Sequence, residues 1–431
     1  MGGKVDTIEQ LKKRIERKEA KIAVIGLGYV GLPQAVMFAD LGFQVVGIDI
    51  CEKRVTDINA MYWPLDLLEP ELPVAMQSTV VLGKLRATTD YAACHDADAV
   101  IVAVPTPVDE NRRPDYKALT DALMWAAASI SKPILMCIES TLAPGSMADI
   151  ATMLPDTTLL AYCPERVTPG ILAHNLRQVP RVIGADSEAA ILAMALYSQI
   201  CKASLYVTDP LSAEICKCAE NAYRDVQLAF ANELALICED LGADVWQVRQ
   251  LINTCPGRYV LRPGPGVGGA CIPKDPWLLM SDLSIEADLL TAARATNDWM
   301  PHHVADLTLE VLREAKAPVG GAIVVILGVA YKENTSDTRN SPALAVMERL
   351  IKAGCDVCFY DPFVDGYDGD LLTMLTGADA AVICTGHDDF YGIDWQQVGQ
   401  VMCHKVLVDA RSVAWPAPRG FVYRGLGRGG K

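Results

Sequence analysis

The stretch that decides the fold is Lys21-Ile-Ala-Val-Ile-Gly26-Leu-Gly28-Tyr29-Val30-Gly31. Its opening residues form an apolar run typical of a buried strand, and residues 32–41 after it have helical composition. Glycines at the spacing G-x-G-x-x-G let the backbone turn sharply and let the helix pack closely on the strand. The stretch therefore predicts a strand, a tight turn and a helix, the first half of a βαβ unit.

Strand-like and helical segments continue to alternate after this turn. Apolar runs at residues 45–48, 99–104 and 134–138 are separated by helical stretches, which is the pattern of a parallel sheet with helices on both faces. We therefore predict one doubly wound domain of the Rossmann type in residues 21–208. Residues 1–20 are polar with alternating charges and are predicted to form an exposed leading helix.

The second half of the chain begins with helical sequence. Residues 209–245 have no strong breaker between Pro210 and Gly242 and predict one long helix. The segment at 263–271 is too rich in glycine and proline for a helix or strand and predicts a loop. We assign residues 209–316 to a helical connector that carries this loop.

An α/β pattern returns after residue 317. A strand at 323–327, a helix at 343–353 and a strand at 357–360 predict a second Rossmann-like domain in residues 317–431. The predicted fold is α/β, with two Rossmann-like doubly wound domains joined by a long central helix.

Length and composition agree with this division. A chain of 431 residues is too long for one hydrophobic core, and 51% hydrophobic residues supply enough apolar material for more than one. The 38 basic and 53 acidic residues give a net charge of −15, which argues against nucleic acid or an anionic membrane as a partner.

Cysteine usage indicates the compartment. Fourteen cysteines are scattered along the chain, and its first residues do not resemble an apolar signal region. Both observations favour the reducing cytoplasm over a disulfide framework. Cys355 and Cys358 lack a second pair or nearby histidine at zinc spacing, so no metal site is predicted. No apolar run is long enough to span a membrane.

The glycine turn and the following strand predict a dinucleotide site. Asp49 ends that strand, where an acid accepts hydrogen bonds from the adenosine ribose and repels a 2′-phosphate, so NAD is favoured over NADP. Arg54 would either stack on adenine or be solvated. A tight turn without a ligand is the alternative. The predicted cofactor contacts are Gly26, Gly28, Tyr29, Val30, Gly31, Asp49, Arg54 and Thr106, the last of which follows a strand at the carboxyl edge of the sheet.

Two further patterns carry chemistry. Glu214, Lys217 and Asn221 share one face of the long helix, as either a solvated face or a ligand-binding one. Cys271 follows two glycines and an alanine in the predicted loop and precedes a lysine, which favours a thiolate nucleophile, with a buried inert cysteine as the alternative. A thiolate with NAD suits oxidation of an alcohol through a thiohemiacetal and a thioester to a carboxylate, a four-electron reaction that uses two NAD.

Six separated segments of the chain resemble the UDP-glucose/GDP-mannose dehydrogenase family in the same order. The resemblance covers nearly the whole chain from Lys21 onward. The segments are Gly26–Pro33, Glu139–Gly145, Tyr162–Arg166, Glu214–Asn221, Gly268–Asp275 and Gly328–Arg339.

This resemblance implies roles for individual residues. Cys271 matches the nucleophile of the family, and Lys217 and Asn221 match residues that stabilise the oxyanion on the substrate. Asp275 and Thr141 match a pair that holds a catalytic water, and Thr141 is also expected at the cofactor.

Other matches concern hydrolysis and binding. Glu165 matches a carboxylate linked to thioester hydrolysis, and Arg339 matches a residue that reaches the cofactor pyrophosphate. The resemblance also implies a homodimer, in which two copies of the chain meet through the central helix of the connector. The expected contacts of the UDP-sugar are Glu165, Arg166, Lys217, Asn221, Arg258, Tyr259, Gly266, Gly268 and Lys332.

Within the family the chain is most similar to the branch that acts on N-acetylated sugars. It departs from that branch at Ala270, Lys274 and the segment 256–259, all expected near the sugar. UDP-N-acetylmannosamine is the expected substrate, with UDP-N-acetylglucosamine or UDP-glucose as alternatives. A nucleotide-sugar binding protein without catalysis is the alternative from another class.

Overall fold

The computed structural model describes residues 2–65, 69, 71–166 and 171–429. The chain forms two compact units. The first comprises Met1–Glu220 and Trp277–Leu283, and the second comprises Asn221–Pro276 and Ser284–Lys431.

The first unit is built from alternating strands and helices. Its strands are β1 (Lys21–Ile25), β2 (Gln44–Ile48), β3 (Leu85–Thr88), β4 (Ala99–Val102), β5 (Ile134–Ile138), β6 (Thr158–Tyr162), β7 (Arg181–Ala185) and β8 (Leu205–Thr208). Its helices are α1 (Gly2–Glu16), α2 (Gly31–Asp40), α3 (Glu52–Asn59), α4 (Glu71–Val81), α5 (Lys117–Ser129), α6 (Ser146–Met153), α7 (Leu172–Gln178) and α8 (Ser187–Tyr197), with a 3₁₀ helix at Tyr91–Cys94.

Within the described residues the first sheet has eight strands in the order β3-β2-β1-β4-β5-β6-β7-β8. Neighbouring strands are parallel except for the antiparallel pair β6 and β7. As far as β6 this is the strand order of dinucleotide-binding Rossmann folds, so the Rossmann prediction is confirmed. The order reverses between β1 and β4, and ligands bind beyond the carboxyl ends of strands at such a point.

The leading helix α1 is not exposed on all sides. Ile15 is fully buried and Leu11 nearly so, and both belong to the hydrophobic core of the first unit. The prediction of an exposed helix is therefore wrong for this face. Charged residues dominate the segment and conceal the short apolar stripe that packs inward.

The helix α9 (Pro210–Leu241) passes from the first unit into the second. It ends four residues before the predicted limit of 245 because Gly242 adopts a left-handed conformation with φ of 76°. The following helices are α10 (Val245–Asn253), α11 (Asp275–Met280) and α12 (Asp288–Glu314). The predicted loop at 263–271 contains neither helix nor strand.

The second unit contains a smaller sheet. Its strands are β9 (Ile323–Leu327), β10 (Asp356–Tyr360), β11 (Ala380–Ile383), β12 (Val406–Asp409) and β13 (Val422–Gly425). Its later helices are α13 (Pro342–Lys352), α14 (Leu371–Leu375) and α15 (Trp395–Val401), with a 3₁₀ helix at Asp388–Gly392. The described strands are all parallel in the order β10-β9-β11-β12-β13, which confirms a second doubly wound, Rossmann-like sheet.

Two apolar clusters cover the faces of this second sheet, one with α12 and α13 and one with α14 and α15. Each of the fourteen cysteines lies in the described part of the chain, and none forms a disulfide. Among the helices of the described residues, none combines the length and the apolar content that crossing a membrane requires.

Candidate active site

The glycine turn after β1 is packed tightly at its ends and open at its middle. A Cβ on Gly26, whose φ is 88°, would lie 2.4 Å from the carbonyl oxygen of Ala103. A Cβ on Gly31 would lie 1.9 Å from the carbonyl oxygen of Gly26, whereas one on Gly28 would have no atom within 4 Å. The open space at Gly28 lets a ligand approach the backbone, as a pyrophosphate does.

The start of α2 is equally suited to an anion. Its N-cap residue, Val30, provides no side-chain cap, and the first turn contains no acidic residue. The positive end of the helix dipole therefore meets no competing carboxylate in its first turn and favours a phosphate group. The turn and the helix together fit the pyrophosphate of NAD.

Asp49 lies beside this turn and is 5% exposed. One of its oxygens accepts a hydrogen bond from the Leu27 N–H at 2.8 Å, and the other accepts one from the Cys51 N–H at 2.9 Å. The Arg54 guanidinium also donates to the Asp49 carboxylate, at 2.9 Å. Arg54 is thus paired with Asp49 rather than only solvated. A carboxylate oxygen accepts more than one hydrogen bond, so Asp49 retains capacity for a ribose hydroxyl.

Lys217 and Glu165 meet inside the first unit. Lys217 Nζ donates to the Glu165 carbonyl oxygen at 2.6 Å and lies 3.1 Å from its carboxylate Oε1. The side chains are 6% and 13% exposed, and Glu214 on the same helix is 1% exposed. The alternative of a solvated helix face is therefore wrong for Glu214 and Lys217.

Arg166 follows Glu165 directly and is bound within the same unit. Its Nε and Nη2 donate to the Glu220 carboxylate, and its Nη1 donates to the Pro180 carbonyl oxygen at 2.9 Å. Its predicted contact with substrate stays a prediction. Thr106 is buried after β4, and Thr141 lies between β5 and α6.

Asn221, Cys271 and Asp275 come together in the second unit. Asn221 Nδ2 donates to Asp275 Oδ2 at 2.5 Å, and the Asp275 N–H donates to the Cys271 carbonyl oxygen at 2.8 Å. Asp275 is fully buried, whereas Cys271 is exposed. Cys271 is therefore not a buried cysteine, and its role as a nucleophile stays a prediction. The Lys274 ammonium lies 2.8 Å from Asp275 Oδ1.

The glycines before Cys271 let the loop pass close to the segment after β9. A Cβ on Gly268 would lie 2.5 Å from Tyr331 Cβ. The Gly269 N–H donates to the Arg339 carbonyl oxygen at 2.9 Å, and Asn340 Nδ2 donates to the Gly269 carbonyl oxygen at 3.1 Å. The side chain of Arg339 binds Asp337 at 2.6 Å. The segment that carries Lys332 and Arg339 therefore supports the cysteine loop.

A buried polar network fixes the other end of the loop. The Gly264 N–H donates to Asn232 Oδ1 at 2.9 Å, and Asn232 Nδ2 donates to Asn297 Oδ1 at 2.8 Å. Asn297 Nδ2 and Arg294 Nη1 donate to Asp225 Oδ1 at 2.8 and 2.5 Å. The four side chains are at most 2% exposed. Sequence reasoning missed this network. Its signal in the sequence is the presence of polar residues, some of them charged, on the apolar faces of α9 and α12.

The second unit also contains a cavity of about 460 Å³. Glu333 lies beside Arg411 in it, and although burial raises the pKa of Glu333, the positive charge of Arg411 brings it below its usual value. Tyr259, which was predicted as a contact of the UDP-sugar, lines this cavity. Its arginines were not predicted, because they are far apart in the sequence. Gly386 follows β11, which places the cavity at the carboxyl edge of the second sheet. The arginines that line it are Arg224, Arg249, Arg262 and Arg411.

Comparison with known proteins defines the class as an NAD-dependent nucleotide-sugar dehydrogenase. Three domains of the UDP-glucose/GDP-mannose dehydrogenase family match in order: the NAD binding domain at residues 20–201, the central domain at 211–299 and the UDP binding domain at 325–416. The chain belongs to the UDP-glucose/GDP-mannose dehydrogenase family.

Similar proteins include enzymes for N-acetylated sugars. The UDP-N-acetyl-D-mannosamine dehydrogenase of Pyrococcus horikoshii is 39% identical over 95% of this chain and 99% of its own. The solved structure of that enzyme from the same organism has a TM-score of 0.92 at 38% identity and the same coverage, 95% and 99%. The NDP-N-acetyl-D-galactosaminuronic acid dehydrogenase of Methanosarcina mazei Go1 has a TM-score of 0.83 at 31% identity, covering 97% of this chain and 98% of that one.

The network around Asp225 leads to a stability prediction. Asp225→Asn removes the carboxylate that faces buried Arg294 and is expected to lower the free energy of unfolding by roughly 3 kcal/mol, because it leaves a buried charge without its inner partner. Urea unfolding followed by circular dichroism measures the change.

Asp298→Asn is the matched control. Asp298 binds the same arginine but is 52% exposed, so its removal is expected to cost less than about 1 kcal/mol. Equal losses in the two variants would contradict the role given to burial at Asp225.

Proposed function

We propose that the enzyme oxidises the C6 alcohol of a UDP-N-acetylhexosamine to the uronic acid through covalent intermediates on Cys271. The observation that carries this proposal is the exposed Cys271 in a loop fixed at both ends, with Asn221 and Asp275 bound beside it. UDP-N-acetylmannosamine is the first candidate substrate, supported by the names of the similar proteins.

The covalent steps use the sulfur of Cys271. NAD, when bound, accepts a hydride from the substrate at each of two oxidation stages. The thiolate of Cys271 adds to the C6 aldehyde to form a thiohemiacetal, whose oxidation gives a thioester. Water then cleaves the thioester, which releases the carboxylate product and restores the thiolate.

Lys217 and Asn221 are assigned to the oxygen that develops negative charge on C6. An ammonium and an amide N–H both stabilise an oxyanion, and they do so most effectively away from water. The bond to the Glu165 carbonyl oxygen orients Lys217, and Asp275 orients the Asn221 amide. Both donors are thereby held in place before substrate binds.

Thr141, Glu165 and Asp275 are assigned to the hydrolytic water. Asp275 Oδ1 is a buried acceptor that lies 2.8 Å from the Lys274 ammonium, and a carboxylate oxygen can accept a further hydrogen bond. A buried acceptor of this kind suits an ordered water. Glu165 is a carboxylate suited to accept a proton from that water.

The arginine-lined cavity is assigned to the diphosphate of the UDP-sugar. Guanidinium groups match the geometry of phosphate oxygens, and Arg411 is held in place by Glu333. Lys332 is assigned to the same ligand. In this proposal residues 21–208 bind NAD, residues 209–316 form the connector and residues 317–431 bind UDP, which the matched family domains support.

An exposed apolar stripe supports a homodimer through the central helix. Tyr223, Phe230 and Ile237 recur every seven residues on α9 and are 66%, 56% and 47% exposed. Leu241 at the end of the helix is 74% exposed. Apolar groups at this spacing lie on one face and gain free energy when a second copy covers them. We place the dimer in the cytoplasm, where its unbridged cysteines stay reduced.

A substrate panel tests the proposed function. An N-acetyl group needs space and polar partners, and the segment 258–269 is assigned to it, with the Arg258 guanidinium as a donor. UDP-N-acetylmannosamine should be oxidised with kcat/KM at least roughly tenfold above UDP-glucose, which one satisfied polar contact supplies. NADH is measured at 340 nm together with substrate consumed, and their ratio should approach two.

The other outcomes of the panel separate the alternatives. UDP-N-acetylglucosamine differs from UDP-N-acetylmannosamine only in configuration at C2 and is its nearest competitor. Ala270 and Lys274, where the chain departs from the branch that acts on N-acetylated sugars, are the residues that would favour it. Equal use of UDP-glucose would contradict the N-acetyl assignment. No NADH with any sugar nucleotide would indicate a binding protein.

Cys271→Ser tests the covalent steps. The serine hydroxyl is a poor nucleophile at neutral pH, so turnover should fall at least about a thousandfold while NAD binding is retained. Uronic acid is measured by mass spectrometry, and Cys255→Ser, which changes another exposed cysteine, serves as the control. Uronic acid formation by Cys271→Ser at the parent rate would exclude covalent catalysis at this residue.

Asp49→Ser tests the ribose contact. The substitution removes a ribose acceptor and the repulsion of a 2′-phosphate, so the kcat/KM ratio of NAD to NADP should fall by about tenfold. Loss of the Leu27 N–H bond loosens the glycine turn for both cofactors, and the ratio cancels that effect. Asp40→Ser, at the exposed end of α2, is the control. An unchanged ratio would mean that Asp49 does not contact the ribose.

A further inference from the structure

Glu214 caps a helix that lies far from it in the sequence. The helix α6 begins after Gly145, whose φ is 91° and which offers no side chain as a cap. The two carboxylate oxygens of Glu214 accept hydrogen bonds from the Gly145 N–H at 2.7 Å and the Met147 N–H at 2.6 Å. A carboxylate from α9 therefore replaces the missing cap and favours the positive end of the α6 dipole.

The segment between Thr141 and α6 is held by further side chains. The Leu142 N–H donates to the Tyr162 hydroxyl at 3.3 Å, and the Leu142 carbonyl oxygen accepts from Cys218 Sγ at 3.1 Å. The Ala143 N–H donates to the Tyr116 hydroxyl at 2.5 Å. Of the side chains named here that bind this segment in the described part of the first unit, Glu214 is the one that carries a carboxylate.

A carboxylate suits this position better than its amide analogue. Two acceptor oxygens satisfy two N–H groups, whereas a glutamine amide presents one acceptor and one donor and sets its NH₂ group against an N–H. Burial raises the pKa of Glu214, and the N–H groups of Met147 and Gly145 oppose that rise. Glu214 is 1% exposed and is out of reach of a ligand.

We propose that Glu214 is a positioning residue that fixes the loop of Thr141 for hydrolysis of the Cys271 thioester. The inference rests on the proposed function, in which Thr141 holds the hydrolytic water. Thr141 directly precedes the bound segment 142–147, so the contacts of that segment restrict where the Thr141 backbone lies. Glu214 supplies the two contacts at the end of the segment.

The affected step is hydrolysis rather than oxidation. The water oxygen bonds to the thioester carbon, the bond from carbon to sulfur breaks, and the sulfur leaves as the Cys271 thiolate. A carboxylate takes one proton of the water, the second is lost as the acid product ionises, and no electrons are exchanged. Both hydride transfers precede this step, so a misplaced hydrolytic water slows turnover only after two NADH have formed.

The test compares Glu214→Gln, Thr141→Ala, the double variant and Glu310→Gln, which changes an exposed residue of α12 as the control. Each full-length protein is mixed with NAD and the best substrate of the panel above, and NADH is followed through the first turnover. Acid-quenched protein is analysed by mass spectrometry for an acyl group on Cys271.

Glu214→Gln should release a burst of about two NADH per site and then turn over at least about tenfold more slowly than the parent, with the thioester accumulating on Cys271. The double variant should be within about twofold of Thr141→Ala, because the two residues act on one step. Glu310→Gln should match the parent.

A slow first turnover without the acyl adduct, or additive effects in the double variant, would overturn the proposal. If Glu214→Gln does not fold, Glu214→Asp, which shortens the side chain and keeps the charge, must show the burst and the adduct.

Failure of the proposed function looks different. It gives fewer than two NADH per sugar in the parent, or turnover by Cys271→Ser. A parent that releases two NADH and a Thr141→Ala variant that accumulates thioester, beside Glu214 variants that do not, would mean that the positioning role alone is wrong.

Discussion

The long helix α9 buries polar side chains along its length, and each of them requires a partner. A buried polar group without a partner costs about 1 to 3 kcal/mol, so the loops around the helix must present matching groups at fixed places. Within each unit several of these partners lie on the loops assigned to catalysis, and the helix α12 supplies Arg294 and Asn297. The pairs are Glu214 with Gly145 and Met147, Lys217 with Glu165, Asn221 with Asp275, Asp225 with Arg294 and Asn297, and Asn232 with Gly264.

In both sheets an aspartate accepts hydrogen bonds from the turn after the first strand, but the two aspartates have different roles. In the first, Asp49 accepts from the Leu27 N–H of the turn after β1; in the second, Asp361 accepts from the Val329 and Ala330 N–H groups of the turn after β9. Asp361 is fully buried and lies 3.1 Å from His387 Nε2. Its burial raises its pKa, but His387 and the backbone N–H groups bring the pKa below its usual value. The second acid is thus bonded within its own unit, and the proposed binding of the diphosphate rests on the arginines of the cavity instead.

Local sequence signals predicted the strands and the long helix, because the apolar period and the glycine turns are properties of short segments. The burial of Ile15 was missed because polar neighbours outnumber the apolar stripe of α1. Arg411 escaped prediction because its place in a cavity depends on how distant loops after β11 and β12 come together. The partners Asp225 and Arg294 are 69 residues apart, and no short-range pattern relates them. The candidate site was predictable where a motif is continuous and not where side chains from distant elements meet.

The Asp225 network shows why such contacts are kept despite their cost. Burial raises the pKa of Asp225 even though Arg294 opposes the rise, so desolvation outweighs the attraction of its partner. In the described residues Asp225 Oδ2 and Arg294 Nε are without hydrogen-bond partners, which adds to that cost. Apolar residues of similar volume often stabilise a protein as well or better, but they provide no directed acceptor for the Asn297 amide. The oxygen of that amide accepts from the Asn232 amide, which in turn binds the Gly264 N–H. The network therefore exchanges stability for a defined path of the loop that ends at Cys271.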